Sequence, residues 1–200
     1  MPTTRPTTPR EARDSLLAGN RRFLADEPIG PNRGLDRMAA LARGQEPWAT
    51  ILGCADSRVP LEILFDAGFG DIFVVRVAGN VASSETVASI EYSVEVLGTP
   101  LVVVLGHTGC GAVQAAVDNG RTPGRIPALL RQIRVALPSA PVAIDEAVEA
   151  NVRHQIQALL DDSPNLRDAC DEGRILLVGA VVDTGTGEVR IVDERSSSEG

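Results

Sequence analysis

Short apolar runs alternate with longer amphipathic stretches from about residue 47 to the end of the chain. The apolar runs are rich in Val, Ile and Leu and predict β-strands. They are WATILG, DIFVVRVAG, PLVVVLG and RILLVGAVVD. Between them, apolar residues recur at helical spacing, which predicts helices over residues 84–97, 111–118, 126–137 and 142–160. The chain therefore alternates strand and helix.

The predicted strands carry almost no alternating polar residues, a pattern expected when both faces of a sheet are buried. The sequence therefore predicts an α/β fold with a central, mostly parallel β-sheet flanked by helices. A turn at residues 184–187 predicts that the last strand is followed by a short antiparallel partner, EVRIVD. Ligands of such sheets bind beyond the carboxyl ends of the strands, so functional residues are expected there.

The amino-terminal part of the chain differs from this pattern. Helical spacing predicts two helices, over residues 9–24 and 35–42, which form an N-terminal helical arm on the sheet domain. Residues 1–10 contain three prolines and four threonines and predict a flexible segment. Residues 196–200 predict a flexible tail, which leaves residues 11–195 as one predicted domain.

Charge and hydropathy limit the possible partners. The net charge of -8 and the pI near 4.8 argue against nucleic acid, since phosphate binding needs clustered Lys and Arg. No run approaches the roughly 20 apolar residues of a membrane span. The first ten residues do not resemble a signal peptide either. We therefore expect a cytoplasmic protein without a membrane partner.

Metal-ligating residues follow two of the predicted strands at once. WATILG leads directly into CADSR, which begins at Cys54, and PLVVVLG leads into HTGCG, which spans His107 to Gly111. If the strands are neighbours, two thiolates, an imidazole and a carboxylate meet. Zinc accepts mixed sulfur and nitrogen ligands, and three protein ligands leave a fourth position for water, as in catalytic sites. The sequence therefore predicts one Zn²⁺ per chain, held by Cys54, His107 and Cys110.

Each of these residues also has a simpler interpretation. Cys54 and Cys110 could be buried apolar thiols, and His107 could be a hydrogen-bonded core histidine. Their pairing at two strand ends favours the metal site. Asp56 and Arg58 could form a structural ion pair, an alternative that stays open because one pair can be both structural and catalytic.

The remaining cysteine and histidine, Cys170 and His154, have no evident partner in the sequence and are interpreted as incidental. An odd cysteine count at low density suits reduced thiols better than a disulfide framework.

The segments CADSRVP and HTGCGAV resemble the two signatures of the β-class carbonic anhydrases. The similarity runs from residues 20–23 through FVVRVAGN and SIEYSVEVLG to the terminal strand. The resemblance implies that Cys54, His107 and Cys110 bind zinc. It also implies that a zinc-bound hydroxide attacks carbon dioxide reversibly, giving bicarbonate and a proton.

The resemblance implies further roles around the metal. Asp56 and Arg58 would be a catalytic dyad that orients the hydroxide. Substrate-binding residues would be Gln45 as a hydrogen-bond donor, and Phe73 and Tyr92 as cleft walls contributed across a dimer interface. Gly111 is also expected to border the substrate, because a glycine permits close backbone approach at the site. A homodimer or a dimer of dimers is therefore expected.

One departure and two alternatives accompany the resemblance. Ile51 stands where some members have a tryptophan of a regulatory bicarbonate pocket, so we expect no such switch although Arg76 matches an arginine of that pocket. Relatives that hydrolyse carbonyl sulfide or carbon disulfide share the zinc motifs. In a non-catalytic zinc protein, Asp56 would instead fill the fourth metal position permanently.

Overall fold

One five-stranded sheet forms the centre of the computed structural model, which describes residues 5–138 and 142–196. Its strands are β1 (Ala49–Gly53), β2 (Ile72–Arg76), β3 (Leu101–His107), β4 (Leu176–Val182) and β5 (Val189–Arg195). Their order is β2-β1-β3-β4-β5. The first four are parallel, and β5 is antiparallel to β4. The predicted sheet, including its antiparallel last partner, is confirmed.

Helices connect the strands and flank the sheet. They are α1 (Pro9–Leu24), α2 (Leu35–Ala40), α3 (Leu61–Leu64), α4 (Ser84–Glu91), α5 (Gly111–Asp118), α6 (Ile126–Arg134), α7 (Ile144–Asp162) and α8 (Pro164–Asp171). A π-helical turn, Tyr92–Val96, extends α4. The predicted helices are therefore present, although α2 and α6 end earlier than predicted.

Helices α3 and α8 were not predicted by spacing. A helix of four residues, such as α3, is too short for an apolar period to show. At the other end of the chain, a capping box sets the start of α1. The Thr8 hydroxyl accepts a hydrogen bond from the Glu11 N–H, and the Glu11 carboxylate accepts one from the Thr8 N–H.

The two faces of the sheet bury two separate apolar layers. One layer joins the sheet to α1 and α3, and the other joins it to α4 through α8. Helix α7 lies close to β3 and β4 because each strand has a glycine beneath it. A Cβ atom at Gly106 would lie 2.7 Å from Val152, and one at Gly179 would lie 2.7 Å from Ile156.

The predicted flexible ends lie partly outside the described residues, which exclude 1–4 and 197–200. The division into arm, single domain and tail therefore stays a prediction. Over residues 5–138 and 142–196, no helix has both the length and the apolarity needed to cross a membrane.

Candidate metal centre

The three predicted metal ligands come together at the carboxyl ends of two neighbouring strands. Strands β1 and β3 pair in parallel, with Gly53 opposite Leu105, so the segments that follow them leave the sheet side by side. The ligand atoms of Cys54, His107 and Cys110 lie within 4.8 Å of one another, and all three residues are buried. The sequence-predicted set is therefore one cluster.

The His107 imidazole is oriented for metal binding. Its Nδ1 lies 3.0 Å from the Thr108 carbonyl oxygen, which can only accept a hydrogen bond, so Nδ1 carries the proton. Its Nε2 is buried and has no hydrogen-bond partner in the described part of the chain. A buried nitrogen lone pair without a partner, beside two thiols, fits a zinc ligand set of one histidine and two cysteines.

The Thr108 carbonyl that orients this ring is itself held by the loop after β4. The Thr184 N–H donates to the Thr108 hydroxyl at 2.9 Å, and the Thr184 hydroxyl lies 3.4 Å from the Thr108 carbonyl oxygen. Such partners behind a metal-binding histidine fix its tautomer and ring orientation. The sequence does not reveal this support, because Thr184 follows Thr108 by 76 positions.

The two thiols are not equivalent. The Gly79 N–H donates to the Cys54 sulfur at 3.3 Å. Cys110 caps the amino end of α5. A hydrogen bond from the Cys110 side chain holds the pKa of Cys54 well below its ordinary value, and the same contact raises the pKa of Cys110. Zinc is bound by thiolates, so metal binding must leave both sulfurs without a proton.

Asp56 and Arg58 form a two-point ion pair beside this cluster. Arg58 donates from Nε to Oδ1 at 3.0 Å and from Nη2 to Oδ2 at 2.8 Å, and its backbone N–H adds a bond to Oδ1 at 2.9 Å. Arg58 also donates to the Gly109 carbonyl oxygen at 3.1 Å, which ties the two segments together. Asp56 Oδ2 lies 3.8 Å from His107 Nε2. These contacts with Arg58 hold the pKa of Asp56 far below its ordinary range, so it stays ionised.

Arg76, at the end of β2, binds the same segment through its backbone. Its Nε donates to the Cys54 carbonyl oxygen at 2.9 Å and its Nη2 to the Asp56 carbonyl oxygen at 2.6 Å. Ile51, the other residue compared with the regulatory bicarbonate pocket, is fully buried in β1. Sequence reasoning missed this clamp on the ligand-bearing segment, and the segment FVVRVAGN, which contains Arg76, is the signal that could have found it.

The predicted cleft residues do not join the metal cluster within one chain, with the exception of Gly111, which follows Cys110. Phe73 pairs with Thr50 across β1 and β2, which places it about 13 Å along the strands from Cys54. Tyr92 lies beside Phe73, with ring centroids 6.3 Å apart. Gln45 lies four residues before the amino end of β1, the end away from the metal cluster.

The two residues interpreted as incidental lie apart from the cluster. Cys170 is buried in α8, where its thiol donates to the Arg195 carbonyl oxygen at 3.4 Å. His154 lies half-buried on α7. Neither belongs to the group of potential metal ligands found among the described residues. All three cysteines are free thiols.

Comparison with known proteins identifies the family. A family model described as carbonic anhydrase matches residues 49–189. The β-carbonic anhydrase CafA of Aspergillus fumigatus is 30% identical and superposes with a TM-score of 0.71 over 90% of each chain. The chain belongs to the β-carbonic anhydrase family.

Other members of the family match over similar lengths. Carbonic anhydrase 2 of Mycobacterium tuberculosis is 40% identical, and the match covers 96% of each chain. A β-carbonic anhydrase of Sordaria macrospora, whose structure is described as tetrameric, is 26% identical with a TM-score of 0.71, over 88% of this chain and 94% of that one. The resemblance inferred from the two signatures is thereby confirmed, and with it the enzyme class.

Proposed function

We propose that this chain catalyses the reversible hydration of carbon dioxide to bicarbonate and a proton at a zinc ion held by Cys54, His107 and Cys110. The observation that carries the proposal is the buried Nε2 of His107, which has no partner in the described residues and lies with two thiols in one cluster. When bound, zinc supplies hydroxide near neutral pH by acidifying a water molecule, as is known for carbonic anhydrases in general.

Asp56 and Arg58 have separate parts in this proposal. Asp56 is ionised and lies next to the cluster, so it would accept a hydrogen bond from the hydroxide in the site and orient it towards carbon dioxide. Arg58 holds both carboxylate oxygens, which keeps Asp56 in this orientation. Because Arg58 neutralises the Asp56 carboxylate and holds it in place, we take Asp56 as the orienting group rather than as a permanent metal ligand.

A second copy of the chain completes the cleft in this proposal. Three predicted cleft residues lie towards the amino ends of the strands, away from their own metal cluster: Gln45, Phe73 and Tyr92. Tyr92 is 47% exposed despite its size. A homodimer, or a dimer of dimers, would let these residues line the partner's site. An active monomer in sedimentation velocity would contradict this.

The choice of carbon dioxide as substrate is tested against carbonyl sulfide and carbon disulfide. Stopped-flow hydration of carbon dioxide and hydrolysis of the two sulfur compounds are measured on the same zinc-loaded protein. We expect hydration of carbon dioxide to be much faster. Faster hydrolysis of carbonyl sulfide or carbon disulfide would contradict the choice of substrate, and no turnover of any of the three would indicate the non-catalytic alternative. A cytoplasmic location stays a prediction.

A further inference from the structure

A chain of buried amide groups connects helix α7 to the Cys54 sulfur. The Asn151 side chain donates from Nδ2 to the Gly79 carbonyl oxygen at 2.9 Å. The Gln155 side chain donates from Nε2 to Asn151 Oδ1 at 2.9 Å and accepts the Ala82 N–H at 2.8 Å. Asn151 is 1% exposed and Gln155 2% exposed. Two neighbouring amides of one helix therefore grip both ends of the turn after β2.

The backbone groups at the two ends fix how these amides point. The Ala82 N–H needs an acceptor, so it meets the oxygen of Gln155, and the Gly79 carbonyl needs a donor, so it meets the nitrogen of Asn151. The remaining nitrogen of Gln155 then faces the remaining oxygen of Asn151. Each amide thus donates and accepts, and carboxylates could not replace both.

The turn that the amides hold has an internal hydrogen bond, from the Asn80 N–H to the Val77 carbonyl oxygen at 3.0 Å. Gly79 and Asn80 both have positive φ, 72° and 44°, a conformation that glycine adopts readily and asparagine more often than most other residues. A Cβ atom at Gly79 would lie 2.5 Å from Ile133, so the position accepts only glycine without rearrangement. The two α7 amides hold the ends of this turn from outside it.

This turn donates one hydrogen bond to the metal cluster, from the Gly79 N–H to the Cys54 sulfur. Such bonds fix the orientation of a metal-binding thiolate and stabilise its negative charge. We propose that Asn151 and Gln155 are positioning residues of the metal centre, which hold the turn at Gly79 so that its N–H is aimed at the Cys54 thiolate. This inference rests on the zinc site proposed above.

The test compares two identical substitutions on opposite faces of the sheet. Asn151→Ala removes the grip on Gly79. Asn20→Ala, in α1, is the control, because Asn20 is likewise buried and bonds the backbone of Leu64, Gly187 and Val189, away from the cluster. Zinc affinity is measured by competition with a chelator, and the thiolate-to-cobalt charge-transfer band is recorded on cobalt-substituted protein.

We expect Asn151→Ala to lose about 10- to 100-fold in zinc affinity, the usual effect of removing a partner behind a metal ligand. We also expect its charge-transfer band to move to longer wavelength, because a thiolate without its hydrogen bond gives up charge more easily. The control should match the wild type in both measurements. A folded Asn151→Ala protein with wild-type affinity and band, or equal losses in the two variants, would overturn the inference.

Gln155→Met provides a second variant of nearly conserved volume. It leaves Asn151 in place but removes the amide that orients it, so the band should move in the same direction. If Asn151→Ala does not fold, the same two measurements on Gln155→Met decide the question, with an unchanged band overturning the inference. A wild-type chain that binds neither zinc nor cobalt would contradict the proposed metal centre, a result distinct from an unchanged variant.

Discussion

Two aspartate–arginine pairs in this chain have similar contacts but different surroundings. Asp56 is held by Arg58 beside the metal cluster, and its side chain is 21% exposed. Asp66, between α3 and β2, is held by Arg22 of α1 at 2.7 Å, and its side chain is fully buried. In both, the contacts with arginine lower the carboxyl pKa.

The difference lies in what else each carboxylate faces. Asp66 also accepts the backbone N–H groups of Ile29 and Gly30, at 3.0 and 2.9 Å, and Arg33 lies 3.3 Å away. Its oxygens are thus committed to joining α1 and the loop after it to the sheet. Asp56 instead has its partners on the Arg58 side and faces His107 on the other. In the proposed function, this open side is what would let Asp56 act on reacting groups, whereas Asp66 has no such side.

The largest effect is expected from removing His107, which Asp56 faces and Asp66 does not. His107→Ala should bind less than one zinc per chain and lose at least about three orders of magnitude in carbon dioxide hydration, because the supply of hydroxide at neutral pH depends on the metal. Zinc analysis and stopped-flow hydration check this. His154→Ala is the matched control and should retain both. Full zinc content in His107→Ala would contradict the assigned ligand set.

Removing the buried carboxylate should affect stability rather than turnover. Asp66→Ala leaves Arg22 and two backbone N–H groups without their acceptor, and breaking a buried pair costs about 3–5 kcal/mol of unfolding free energy. Urea unfolding measures the loss. Hydration rate per zinc-loaded, folded chain should stay at the wild-type value. A large fall in that rate would show that the two pairs are not functionally distinct.

Removing Arg58, the arginine beside the metal cluster, should affect turnover rather than stability. Arg58→Ala should retain zinc but lose about 10- to 100-fold in hydration rate, since Asp56 loses the charge-assisted hydrogen bonds that hold it. Its unfolding free energy should stay close to the wild-type value, because the Arg58 side chain is exposed. Arg58→Lys, which cannot make the two-point contact, should fall between. A full hydration rate in Arg58→Ala would exclude the dyad.

Acid should produce the smallest effect. Burial raises the pKa of Asp66, but hydrogen bonds from Arg22, Ile29 and Gly30 outweigh it, so the folded-state pKa lies below the ordinary value of 3.8. The stability that this carboxylate contributes is therefore complete above about pH 4 and is lost as the pH falls through the folded-state pKa. Urea unfolding of wild type and Asp66→Asn between pH 5 and pH 3 measures it. Equal pH slopes for the two proteins would contradict the assignment.

The parts of the fold and site with local signals could be predicted from the sequence. Unbroken apolar runs gave the parallel strands, and ligands placed directly after two of those runs gave the metal cluster. The supporting contacts could not be predicted, because they join distant residues without a motif. Asn151 follows Gly79 by 72 positions, and Asp66 follows Arg22 by 44. These contacts depend on how helices pack on the sheet.

In the proposed function, the carboxyl ends of β1 and β3 carry a catalytic zinc site. The most direct measurement is stopped-flow carbon dioxide hydration by the wild-type chain as isolated, after zinc is removed by a chelator, and after zinc is restored. We expect the rate to fall to that of buffer without zinc and to return in proportion to the zinc bound, up to one ion per chain. A metal-free chain that keeps its rate, or a zinc-loaded chain no faster than buffer, would contradict it.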